Sequence, residues 1–196
     1  PKSIVMQGHT GAKAWAMGVY DLEKKEVNGM PMYKSRHKPL EEGGKHAFLY
    51  RSIPGSWMVG KEESIAKNAG FITSATQGAL SPLGLAWEFW DGTKWQTDAA
   101  LTTTDIVPTP PKIIVMQGHT GEQADLMGVY DLEKKEAHGM PLYKSRHKPI
   151  DGGKHAFLYR SSQGIWAVTK EEGLAKNAAY IKSVTRGALS PLGLAW

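Results

Sequence analysis

Seven histidines hold the most versatile chemistry in this chain: His9, His37, His46, His119, His138, His147 and His155. A neutral imidazole ligates metals and titrates near physiological pH, so a recurrent set raises the question of a metal centre or an acid–base pair. Their spacing fits no metal-ligand pattern, which favours side chains that fix loops or face solvent. His9 lies in Gly8-His9-Thr10-Gly11, a turn-like run whose amides could hold an anion, but its glycine spacing is not that of a phosphate loop. The carboxylates Asp21, Glu23 and Glu26 alternate with Lys24 and Lys25 and read as a mutually neutralised surface stretch. A nucleophile elbow, a zinc-protease helix, a Walker loop and a dinucleotide fingerprint are all absent from the sequence. With no cysteine, thiolate catalysis, disulfides and cysteine-ligated metals are excluded. The expectation is a protein that is not an enzyme and needs no cofactor or metal.

Two further groups could recognise a partner. The basic cluster Lys34, Arg36, His37 and Lys38 and its second occurrence Lys144, Arg146, His147 and Lys148 could dock an acidic protein or nucleic acid, although charge runs mostly serve as solvated loops. The net charge of +5 on 196 residues favours acidic partners but is too sparse for a dedicated nucleic-acid binder. Tyr20, Tyr33, Tyr50, Trp57 and Trp87 could form a sugar platform, but in short strands beside glycine turns they read first as core.

The elements that must position these groups occur twice. Ile4-Val5-Met6-Gln7-Gly8-His9-Thr10-Gly11 returns as residues 114–121, Met17 to Glu26 as 127–136, and Gly78 to Trp87 as 187–196, with one residue lost near Glu42. Such self-similarity indicates a tandem duplication. Within each copy, short apolar runs are punctuated by glycine, proline, asparagine and aspartate, the pattern of a small antiparallel β fold. Strands are predicted near 3–7, 16–22, 30–34, 46–51, 56–60, 70–75 and 84–90. A type I′ hairpin is predicted at Asp91-Gly92, and a similar turn at Asn28-Gly29. Lys61 to Asn68 and Lys170 to Asn177 predict one short helix per copy, with paired glutamates at its positive end. The fold class is therefore mainly β: two tandem homologous sheet or barrel domains related by pseudo-two-fold symmetry. Domain one covers residues 1–107, a proline-rich linker 108–112 and domain two 113–196, with an extended connector expected from Thr102 to Pro111. The composition, 41% hydrophobic and 22% charged, suggests neither disorder nor a membrane span. The start at Pro1, without a methionine or signal segment, suggests a processed or trimmed piece.

The copies differ at their ends. The first continues past Trp87 into Trp87-Glu88-Phe89-Trp90 and Thr93-Lys94-Trp95-Gln96, whereas the sequence stops at the equivalent Trp196. A sheet without its last hairpin exposes backbone donors and acceptors, so another segment is expected to cover that edge: the connecting segment of the same chain, a strand of a neighbouring molecule, or the natural chain's own continuation past Trp196. Trp90, Trp95 and Trp196 join the two basic clusters as candidate interface residues.

The order Gly-Val-Tyr (18–20), Asn-Gly-Met-Pro-Met-Tyr-Lys (28–34), Phe-Leu-Tyr-Arg (48–51), Trp-Met-Val-Gly (57–60), Gly-Phe-Ile-Thr-Ser (70–74) and Pro-Leu-Gly-Leu-Ala-Trp (82–87) resembles β-rich modules of algal and protist proteins. As a tandem pair it is most similar to the diatom pyrenoid shell proteins. That resemblance implies a structural protein that assembles with itself into a sheet or shell around the Rubisco-containing pyrenoid, at its periphery in the plastid stroma. It implies Rubisco or another acidic protein as a partner, and it brings no catalytic residues. The competing expectation is a tandem carbohydrate- or protein-binding module without catalysis, in which duplicated sites add avidity.

Overall fold

The computed structural model of the chain describes residues 1–38, 44–150 and 152–196. The one-residue difference near Glu42 lies outside them. The molecule is mainly β and consists of two antiparallel curled sheets, one per copy, each with one short helix. In the first domain, strands β1 (Ser3–Gln7), β2 (Gly18–Val27), β3 (Met30–Ser35), β4 (Ala47–Arg51), β5 (Ser56–Lys61), β6 (Ile72–Gln77), β7 (Trp87–Trp90) and β8 (Trp95–Asp98) pair in sequence order. A ninth strand, β9 (Thr102–Thr104), crosses to the other end and pairs with β1, Val5 opposite Thr104. The expected connector thus starts later than Thr102, because its threonines are recruited into the sheet.

The strands at the two ends of this order, β8 and β9, are joined by residues 99–101 alone. A link that short spans roughly 10 Å, so the sheet must curl until its ends face each other. Bulges assist the curl: pairing slips between Leu22 and Glu26 on β2, within the charged run, and between Ser56 and Met58 on β5.

The concave face holds Ile4, Met6, Tyr20, Tyr33, Leu49, Trp57, Val59, Ile72 and Trp87, all buried. On the convex face a second cluster of Val27, Met32, Phe48 and Tyr50 is covered by Ile65 of helix α1 (Glu62–Ile65). That double burial explains why Phe48-Leu49-Tyr50 reads as an unbroken apolar run rather than an alternation. The helix is a single α turn, shorter than 61–68: beyond Ile65 the chain tightens into i→i−3 turns, Lys67 and Asn68 donating to the Ser64 and Ile65 carbonyls, before it turns away at Asn68, φ +49°.

The hairpin turns also refine the expectation. Asn28 and Gly29, both at positive φ (53° and 71°), form the two-residue type I′ connection between paired Val27 and Met30. Asp91-Gly92 does not form one: the hairpin is there, but Trp90 and Trp95 flank a four-residue loop in which Gly92 takes positive φ. Asp91 Oδ1 accepts from the Thr93 and Lys94 amides at 2.7 and 2.9 Å, so its side chain organises the loop. Likewise β7 starts at Trp87 rather than residue 84, since Gly84 at φ +67° turns the chain first.

The second domain repeats six strands, β10 (Ile113–Met116), β11 (Gly128–Ala137), β12 (Met140–Ser145), β13 (Phe157–Arg160), β14 (Ile165–Thr169) and β15 (Ile181–Arg186), with helix α2 (Glu171–Leu174). It packs against the first through turns. Arg160 is fully buried and donates from Nη1 to the Met17 carbonyl at 3.2 Å. A Cβ on Gly187 would lie 2.3 Å from the His9 carbonyl oxygen, and one on Gly139 would lie 2.6 Å from that of Arg36.

Candidate functional site

The histidines serve mainly as pins between loops. His37 donates from Nε2 to the Trp15 carbonyl, and His147 makes the matching bond to Asp125. His46 and His155 donate from Nδ1 to the carbonyls of Ser35 and Ser145, and His138 from Nε2 to that of Leu174. His37 is buried, and desolvation, aided by the nearby charge of Arg160, pushes its pKa down to about 4. Among the described residues no three His, Asp or Glu side chains gather into a metal-holding group.

The basic clusters are divided by their surroundings. Arg36 grips Asp21 through two bonds of 2.7 and 2.9 Å, and Arg146 grips Asp131 through two of 2.7 and 2.8 Å. Hydrogen bonding to the guanidinium holds each carboxylate below its usual range. His37 turns inward, Lys34 and Lys144 are half-buried, and Lys38, Lys148 and His147 are exposed. The four side chains in the first cluster thus present no continuous basic patch. The aromatics Tyr20, Tyr33, Tyr50, Trp57 and Trp87 are each 2% exposed or less, so they build the core rather than a sugar platform.

Of the candidate tryptophans, Trp90 and Trp95 face each other across the β7–β8 pair, edge to face at 5.7 Å. Trp196 lies elsewhere, in the most informative region of the surface: the open seam between β10 and β15. This groove has a volume of about 930 Å³ and is lined by Ile114, Val115, Gly118, His119, Leu192 and Trp196, among others.

The first domain holds the counterpart of this groove. There, the segment from β7 to β9 fills the equivalent space. Asp98 accepts from His9 Nδ1 at 2.5 Å, and the His9 ring packs 4.4 Å from Phe89. Trp87 Nε1 donates to Thr103 Oγ1 at 3.3 Å, and that hydroxyl donates to the Pro82 carbonyl at 2.5 Å. The Ala100 carbonyl sits over Gly8 so closely that a Cβ there would be 1.8 Å from its oxygen. The residues that this segment touches recur in the second domain, where most are exposed. Val5 is fully buried but Val115 is 59% exposed; Trp87 is fully buried but Trp196 is 41% exposed. His119 is exposed, and the space a Cβ on Gly118 would take is open.

Reading the sequence did not find the His9–Asp98–Phe89 contact or the role of Arg160. Asp98 and Phe89 lie beyond the point where the second copy stops, so the repeat gave them no counterpart. Arg160 aligns with Arg51, whose side chain turns to its own Gly55 carbonyl at 3.3 Å, so identity hid a difference in surroundings. Among the described residues no helix is long and apolar enough to cross a membrane. Comparison with known proteins finds no family model that matches the chain, no match among curated proteins and none among solved structures.

Proposed function

We propose that the protein is a non-catalytic structural module that assembles with copies of itself into an extended layer. What supports this reading is the tandem duplication, which sets two similar curled sheets in one chain and so presents related surfaces twice. A contact between unlike surfaces that does not close on itself propagates into an array. The resemblance to pyrenoid shell proteins favours a layer around the Rubisco condensate in the plastid stroma, with Rubisco or another acidic protein as neighbour. Within the layer, Lys38 and Lys148 are the exposed lysines of each cluster, beside Arg36 and Arg146, which are exposed but held by Asp21 and Asp131, and they are the natural points of contact for such a neighbour.

Electron microscopy of the purified chain at rising concentration, alongside sedimentation over a range of salt, tests the reading. Filaments, tubes or sheets are the expected outcome. A particle that stays monomeric at every concentration and salt would overturn it.

A further inference from the structure

We infer that the contact between the two domains encloses a small monovalent anion of the halide class, bound to the guanidinium of Arg160. The inference stands apart from the assembly reading above, because it concerns the interior of a single chain.

Arg160 carries a full charge into a dry place. It is 1% exposed, at the end of β13, and reaches the first domain by one bond, from Nη1 to the Met17 carbonyl at 3.2 Å. Its Nε and Nη2 are also buried, and no protein group among the described residues accepts from either. A guanidinium offers five N–H donors in a fixed fork and keeps its charge at neutral pH, and burial lowers its pKa only to about 10. An unpaired buried charge is among the costliest features a fold can carry.

The neighbouring side chains do not balance it. Among the described residues no ion pair includes Arg160. Tyr20 keeps its phenol proton, because burial raises its pKa, and donates to the Ala16 carbonyl at 2.7 Å. His37, whose pKa is lowered by burial and by the charge of Arg160, is neutral near pH 7. Donors, in contrast, are in surplus. The guanidinium lies over the turn 161–164, with Nη2 3.2 Å from the place a Cβ on Gly164 would take, and that turn carries the buried Ser162 hydroxyl, which has no protein partner either. The Ala14 carbonyl of the first domain is equally close to that place, so the other domain roofs the turn. A water molecule would satisfy the donors and leave the charge. A monovalent anion satisfies both, and the enclosure limits it to the size of a halide.

The equivalent arginine shows that docking makes the site. Arg51 is half-buried and donates from Nε to its own Gly55 carbonyl at 3.3 Å, and Ile53, at the position of Ser162, is 73% exposed, so solvent reaches this turn and screens the charge. An anion on Arg160 therefore ties the two domains together.

The test compares the full chain in sodium chloride and in sodium gluconate at equal ionic strength, gluconate being too large to be enclosed. Chloride should raise the melting temperature by at least about 3 °C along a saturating curve. The NMR line of chloride should broaden with added protein and sharpen again when bromide competes. Arg160→Met, which replaces the charge with an apolar chain, should abolish both effects, and Arg51→Met should leave both intact. A wild type that melts alike in the two salts, or a chloride line that does not broaden, overturns the inference and makes water the occupant. A chloride response that persists in Arg160→Met overturns it as well. The wild-type measurements decide by themselves if Arg160→Met does not fold.

Discussion

His37 shows how a residue suited to chemistry is put to structural use. Its imidazole is buried against Trp15, with the guanidinium of Arg160 close by, and the folded state holds it far below the value near 6.5 of an unfolded chain. Above that value neither state binds the proton, and the full stability is present. Between about 6.5 and 4 the unfolded chain takes up a proton that the folded chain refuses, so stability falls as pH falls. The linkage amounts to about 2 kcal/mol by pH 5. Urea melts at pH 7 and pH 5 should show this loss in the wild type and a clearly smaller one in His37→Gln, which cannot titrate but can still donate to Trp15. Equal losses in the two proteins would mean that His37 is not the acid-sensitive group. His46, whose pKa is also lowered by burial, remains in both proteins and drops out of the comparison.

Strands and turns follow from composition where the requirement is local. Asn28 satisfies two conditions at once: it adopts φ +53°, and its Nδ2 donates to the Arg51 carbonyl at 2.8 Å, tying the β2–β3 turn to β4. Asn28→Ala should lose both, at about 1–2 kcal/mol, whereas Asn28→Gly should cost less because glycine accepts the same backbone. Chemical denaturation of the two variants measures the difference, and equal costs would show that positive φ plays no part. The same local logic made the seven principal strands, the single helical turns and the duplication readable from the sequence. Its reach ended where distant segments meet. Nothing near Thr102 announces that it will pair with Gln7 across the curl. Nor does Asp91-Gly92 reveal a four-residue loop, because the same dipeptide suits several turns and the twist of the flanking strands decides among them. The candidate site was legible only in outline: the histidine and glycine of the Gly8-His9 turn could be named, but their partners Asp98 and Ala100 lie some ninety residues away and are brought to them by the curl of the sheet.

At the scale of the molecule, the decisive property is that two nearly identical domains have unlike surroundings, and paired glycines expose the difference. Gly78 and Gly187 are equivalent, with φ of +81° and +80°, and each donates across its turn, to Gly55 and Gly164 at 3.0 and 2.9 Å. A Cβ on Gly78 would meet open space, while one on Gly187 would press within 2.3 Å of the His9 carbonyl in the other domain. Alanine at either site bears the same backbone strain, about 1 kcal/mol. At position 187 it must also force the domains apart, because the His9 carbonyl it meets is backbone rather than the end of a flexible side chain. That movement disturbs the nearby insertion of Arg160, whose buried charge tolerates little loss of its bond to Met17. Gly187→Ala should therefore cost at least about 2 kcal/mol more than Gly78→Ala. It should also split the thermal unfolding into two transitions, the second domain melting before the first, since the second has fewer strands and an open seam. Calorimetry of the two variants checks both effects, and indistinguishable melts would refute the docked arrangement. Docking of this kind matters to assembly because the buried Arg160 and the close-packed turns at Gly139 and Gly187 tie the two domains together, so that a contact made by one domain bears on the placement of the other.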